Sequence, residues 1–180
     1  IPSYNFSKAN VIVSFSADFL GTWVSPIEFN KQYTETRKIG KNKKTMSRHY
    51  QFESNLSVTG SNADYRFPTK PSEEDILILH LYNLLAEKSG SPVFNVKNTS
   101  ASYLDKLPEL ASELWGNRGS SLVVSGSNKK ETQILINSIN YLLNNYGETV
   151  LINNPVNSKS GNDENMDDFI KDLELKKINA

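Results

Sequence analysis

The residues of this chain that could do chemistry gather in two loops, each following a short apolar run. Val11-Ile12-Val13 leads into Ser14, Ser16, Ala17 and Asp18, and Ser121-Leu122-Val123-Val124-Ser125 leads into Gly126-Ser127-Asn128-Lys129. In parallel α/β sheets, ligands bind in loops that leave the carboxyl ends of strands. Asp18 can bind a ribose or pterin donor, or cap a turn. Free N–H groups in the second loop can hold an anion, although a tight turn with a cap is the preferred reading. A carboxylate at Asp18 repels phosphate, which argues against a pyrophosphate seated directly on it.

Other titratable groups carry weaker signals. His49 lies in an expected strand beside Arg48, with no nucleophile nearby in sequence. His80 sits in an apolar helical run and reads as a hydrogen-bonded core residue. Two scattered histidines make no metal-ligand pattern. Glu73-Glu74-Asp75 suits the positive end of a helix. Arg37, Lys38, Lys41, Lys43, Lys44 and Arg48 form a basic stretch, read as a solvated loop or partner surface. Trp23 and Trp115 read as packing residues.

Composition sets bounds on these readings. The 180 residues contain 20 basic and 20 acidic side chains, so no net field favours nucleic acid or an anionic membrane. With no cysteine, the chain holds no disulfide, thiolate zinc site or cysteine-ligated iron–sulfur cluster. No apolar run reaches membrane-spanning length. The opening Ile1-Pro2, close to a strand, suggests a piece excised from a longer polypeptide. The expected domain covers residues 1–155, followed by a polar linker and amphipathic helix over residues 156–180.

The elements that must position the loops follow from pattern. Ser25-Pro26-Ile27-Glu28 reads as a capping box with proline at the first helical position. It opens a helix over residues 26–36 that packs through Ile27, Phe29 and Tyr33. A strand is expected within residues 46–52, a polar loop over residues 54–64, and an edge strand over residues 65–69 that Pro68 ends. A helix capped by Ser72 and stopped by Gly90 has an apolar centre, ILILHLYNLLA, and should be buried on several sides. Residues 93–96 read as a short strand, and residues 101–115 as an amphipathic helix interrupted by Pro108. After the strand at residues 121–125, a helix over residues 130–146 should face inward through Ile134, Leu135, Ile139, Leu142 and Leu143. Gly147 ends it before a strand at residues 149–152. Residues 155–165 read as a polar connection, and residues 166–178 as a last helix with Met166, Phe169, Ile170 and Leu173 on one face. The alternation predicts an α/β fold: a doubly wound, mostly parallel sheet with helices on both faces.

Three segments together carry a resemblance: YNFSKANVIVSFSADFLGTWVSPIEFNKQY, MSRHYQFESNLSVTGSNADYRFPTKPSEE and SSLVVSGSNKKETQILINSINYLL. They resemble the Rossmann-like domain of the molybdopterin oxidoreductase superfamily. They look most like the large iron–sulfur subunit of alternative complex III, a quinol-oxidising respiratory assembly. The resemblance covers residues 4–155. It implies a domain without its own redox centre, iron–sulfur clusters elsewhere in a parent chain, and partners among that chain's other domains and the complex's other subunits. It further implies a location at the periplasmic face of an inner membrane, with no membrane span in this segment and no nucleic-acid partner.

The departures from the family pattern fall at the cofactor positions. Ser16-Ala17-Asp18 stands where members that bind cofactor have Gly-x-Asn or Gly-x-Asp. Gln51-Phe52-Glu53-Ser54 replaces an Asp-Pro-Arg-like turn, and Pro71-Ser72-Glu73-Glu74 replaces Pro-Gly-Thr-Asp. Ser16, Asp18, Glu53 and Glu74 therefore mark a degenerate pterin site, and molybdopterin binding is doubtful. The resulting expectation is a scaffold or docking domain, non-catalytic by itself, with Arg48, His49, Glu53, Asn62 and Asp64 at an interface. Two alternatives stay open. One is the molybdopterin-guanine-dinucleotide-binding domain of an active molybdoenzyme, with Ser16, Asp18, Glu53 and Glu74 lining its site. The other is a free-standing nucleotide-binding module using Ser125 to Lys129.

Overall fold

A computed structural model describes residues 2–40, 44–96, 100–153, 155–156 and 163–178. Its centre is a four-stranded parallel sheet of β2 (Val11–Phe15), β3 (Arg48–Glu53), β4 (Tyr65–Pro68) and β5 (Ser121–Ser125). The spatial order is β4-β3-β2-β5, with Val13 opposite Tyr50 on one side and Val123 on the other. A separate antiparallel pair joins β1 (Ser3–Tyr4) to β6 (Val150–Leu151). The strand expected at residues 149–152 thus exists in shortened form, outside the parallel sheet.

Side-chain alternation divides the sheet into two faces. Val11, Val13, Phe15, Tyr50, Phe52 and Val123 pack under α3 (Pro71–Ser89), α4 (Leu107–Gly116) and α5 (Lys130–Leu142). Ile12, Leu122 and Val124 pack on the other face with Phe29 and Tyr33 of α1 (Pro26–Arg37) and with Phe6, in a 3-10 turn at Phe6–Lys8. Helices therefore flank the parallel sheet on both sides, as the alternating pattern predicts.

Helix starts depart from the expected caps. Ser25 is the N-cap of α1, but its side chain makes no capping bond; Glu28 instead accepts from Gln32 Nε2 at 3.1 Å. Pro26 still begins the helix, because a first-turn residue needs no backbone donor. Ile27 is 88 % exposed rather than packed. For α3 the N-cap is Lys70, not Ser72, and Pro71 takes the first position. At its other end Gly90 adopts φ 73° and closes the helix as expected.

Further expectations change, apart from the break at Pro108, which is as expected. A single helical turn, α2 (Val58–Ser61), interrupts the 54–64 loop, with Ser57 Oγ accepting from Gly60 N at 2.9 Å. Residues 93–96 form no strand; Phe94 instead exchanges hydrogen bonds with the Asn83 side chain. Pro108 divides the 101–115 segment, a 3-10 turn at Leu104–Lys106 preceding α4. Helix α5 stops at Leu142 and Asn144 takes φ 56°, so Gly147, at φ 84°, belongs to the turn before β6. The last helix, α6, covers Asp163–Glu174. Lys41 and Lys43 of the basic stretch, and most of the 155–165 connection, lie outside the described residues.

Candidate functional site

The chain leaves β2 in one direction across β3 and β4, then returns to place β5 on the other side of β2. The loops after β2 and β5 diverge at that reversal, the position where open α/β sheets form ligand crevices. A cleft of 460 Å³ lies there, lined by Ser16, Asp18, Thr22, Trp23, Val24, Gly126 and Asn128. A neighbouring hollow of 290 Å³ extends it past Tyr4, Ser125, Ser127 and Gln133.

Backbone geometry is constrained at this point. A Cβ on Gly126 would stand 2.3 Å from the carbonyl oxygen of Ser16, so the two loops approach as closely as they do only because residue 126 has no side chain. Ser16 and Val24, both in the cleft wall, adopt φ 53° and φ 56°. A left-handed β-branched residue such as Val24 is a genuine outlier, and such strain clusters at active sites, ligand clamps and switch regions.

The four side chains expected at a degenerate pterin site, Ser16, Asp18, Glu53 and Glu74, are engaged within the chain. Asp18 Oδ1 accepts from Thr59 N at 3.0 Å and from Thr59 Oγ1 at 2.8 Å, tying the β2 loop to α2. Ser16 Oγ donates to Glu74 Oε2. Burial pushes the Glu74 carboxyl above the usual carboxylate range; the Ser16 bond opposes this and the nearby Asp75 reinforces it. Glu53 accepts from Arg66 Nε at 2.6 Å, Ser57 Oγ at 2.6 Å, Gln51 Nε2 at 3.1 Å and Ser57 N at 3.2 Å. Burial alone would raise the Glu53 pKa, but the bonds from Ser57 and Arg66 outweigh it and hold the carboxyl below its ordinary value.

Ser16 and Glu74 are thus brought together, while Asp18 and Glu53 anchor the α2 turn from two sides. A side chain on Gly60 would collide with Glu53, its Cβ 1.9 Å from Oε1. Lys129, in the loop after β5, pairs with Asp75 at 2.7 Å, and Thr132 binds the same carboxylate. Asp18 is thus the one charged side chain among the residues that line the cleft and its neighbouring hollow.

Beneath the cleft, His49, Gln51 and Glu53 alternate onto one face of β3 and are all buried. Gln51 donates to Glu53, leaving its Oε1 as an acceptor for His49 Nε2 at 3.2 Å. His49 Nδ1 lies 3.1 Å from Tyr33 Oη, and that hydroxyl donates to the Asn62 carbonyl at 2.9 Å. Burial holds the His49 pKa down to about 4.

Of the five expected interface residues, His49 and Glu53 face inward and cannot touch a partner directly. Arg48 is half exposed and pairs with Glu113 at 2.8 Å. Asn62 is exposed. Asp64 holds Arg37 through two 2.7 Å bonds and also accepts from His49 N. His80 differs from expectation, since its buried Nε2 has no partner among the described residues. Trp23 packs against Tyr4 and Phe29, and Trp115 lies under Arg118 with the cation 4.3 Å from the ring. Among the described residues, no group of three or more histidine, cysteine or acidic side chains could hold a metal ion, and no helix is long and apolar enough to cross a membrane.

Sequence reasoning missed Thr59, Arg66 and the structural demand at Gly126. A glycine between an apolar strand and a helix was the available signal for the last; the partnerships of Thr59 and Arg66 are non-local and left no pattern. No protein-family model matches the chain, and no curated protein matches it.

Proposed function

We propose that this chain is a positional domain of a molybdopterin-oxidoreductase-like iron–sulfur subunit in a quinol-oxidising respiratory complex, and that it carries no redox centre of its own. The three resembling segments support this reading, as does a parallel sheet that reverses direction between β2 and β5. The observation that carries it is the engagement of Asp18 with Thr59 and of Glu53 with Arg66 and Ser57. Side chains at the family's cofactor positions have become internal cross-links, which suit rigidity rather than ligand exchange.

In this role the domain holds neighbouring, cluster-bearing parts of a parent chain at a fixed separation, on the periplasmic face of a membrane. The surface offered to a partner is Arg48, Asn62 and Asp64, while His49 and Glu53 support it from below. Molybdenum and pterin analysis of the intact parent protein tests the proposal. Neither is expected; one equivalent of the pterin cofactor lost on substituting Asp18 would establish the active-molybdoenzyme reading instead. Charge reversal in Arg48→Glu should weaken subunit assembly without unfolding the domain, because Arg48 is half exposed.

A further inference from the structure

At Ser16 an exposed hydroxyl, a left-handed backbone and a buried carboxylate partner come together. The residue follows β2, an inner strand of the sheet, lines the 460 Å³ cleft and adopts φ 53°. Its backbone is pinned on both sides. Ser16 N donates to the Phe52 carbonyl at 2.8 Å, and the Phe15 carbonyl accepts from Gly126 N at 2.9 Å. A serine at a sharp, strained turn after a central strand is how α/β scaffolds hold out a reactive hydroxyl. The cross-links made by Asp18 and Glu53 give this hydroxyl no part.

A base stands behind it. Ser16 Oγ donates to Glu74 Oε2, near the start of α3, which is the direction in which a general base takes a proton. Glu74 is 9 % exposed and does not itself line the cleft. Burial raises its pKa, so the ionised carboxylate is more basic than an ordinary one. Donors for an oxyanion are also at hand. Ala17 N and Asp18 N come next in the chain and bond to no other backbone group among the described residues. The Asn128 amide lines the same cleft. Asp18 is the one charge in that lining, which disfavours an anionic substrate.

The geometry points to a Ser16–Glu74 dyad that hydrolyses small uncharged carboxylic esters. This activity goes beyond the positional role proposed above and does not depend on it. Ser16 Oγ adds to the ester carbonyl carbon as its proton passes to Glu74. The resulting oxyanion accepts from the backbone N–H groups after Ser16 or from the Asn128 amide. When the bond to the alcohol oxygen breaks, Glu74 returns the proton to the leaving alcohol. Water then attacks the acyl-serine; its proton passes through Glu74 to Ser16 Oγ as the carboxylic acid leaves.

Reaction of the full chain with an uncharged fluorophosphonate, followed by peptide mass spectrometry, tests this. The serine oxygen displaces fluoride from phosphorus, so a covalent adduct is expected at Ser16. Its rate should rise with pH as Glu74 ionises and then level off. Glu74→Gln should slow labelling by about a hundredfold or more, the usual contribution of a positioned base, and abolish that rise. Ser16→Gly keeps a residue that accepts the left-handed backbone and should end both labelling and turnover of p-nitrophenyl acetate. Unchanged thermal unfolding verifies that each variant is folded. Labelling of Ser16 no faster in the folded chain than in the denatured one would overturn the inference, as would a rate indifferent to Glu74→Gln. Either result leaves the positional role standing, since that role is tested by pterin content and subunit assembly.

Discussion

Gly126 governs how the two loops of the cleft meet. Any side chain there must displace the Ser16 carbonyl, a backbone atom that cannot swing aside as a flexible side chain would. Gly126→Ala should therefore destabilise the domain by about 1–3 kcal/mol, the usual scale of overpacking. Urea unfolding measures this, and an unchanged midpoint would mean that the β2 loop relaxes freely. Gly60 faces an equally short approach, but towards the end of the Glu53 side chain, where an added methyl group would break hydrogen bonds instead of shifting backbone. The sequence marks both residues as turn glycines without separating these two reasons, because the opposing atoms come from distant segments.

At the scale of elements, the two edges of the sheet are treated differently. On β5, Asn140 takes the place of a neighbouring strand: its Nδ2 donates to the Val123 carbonyl at 2.7 Å and its Oδ1 accepts from Val123 N at 3.2 Å. Thr149 Oγ1 seals the Ser121 carbonyl at 2.6 Å. These side chains satisfy backbone groups that would otherwise template pairing with another chain. Edge strand β4 is only four residues long and ends at Pro68, which has no N–H to offer. Asn140→Ala leaves both Val123 groups without these bonds and should cost roughly 1–3 kcal/mol for each group that stays buried. Calorimetry reads the loss, and light scattering near the transition should show greater aggregation than in the parent chain. Pro68 as an edge signal was legible in the sequence. Asn140 was not, since an asparagine within an amphipathic helix looks like an ordinary polar residue until β5 lies beside it.

For the whole molecule, the buried polar groups shape how stability depends on pH. His49 has a folded pKa of about 4, below its ordinary 6.5. The unfolded chain therefore binds the extra proton first as pH falls, and stability drops between about pH 6.5 and 4. This one group contributes up to about 3 kcal/mol, at 1.36 kcal/mol per pKa unit. Glu53, Asp64 and Asp75 have depressed values, so their contributions are lost at still lower pH. Glu74 has the opposite sign: its raised pKa means that stability falls as pH rises through the folded value. Urea midpoints from pH 4 to 8 should rise steeply up to about 6.5 and then flatten, and His49→Leu should remove most of the rise above pH 4. A profile that is the same with and without His49 would place the acid transition elsewhere.

Local pattern by itself determined the α/β class with a mostly parallel sheet, strands at the Val11–Val13 run, within residues 46–52 and at residues 121–125, the proline-led start of α1, and the Gly90 stop of α3. Each rests on hydrophobic period or on the dihedral limits of one residue, which neighbours in the chain suffice to express. Tertiary structure decided that Ile27 and Ile134 face outward, that residues 93–96 form no strand, and that Asp18, Glu53 and Glu74 engage other side chains of the same chain. Those outcomes depend on which surfaces come together across long separations: Asp18 with Thr59, Glu53 with Arg66, Asn140 with Val123. Solvent is excluded, and a carboxylate finds its donor, only after the sheet has assembled.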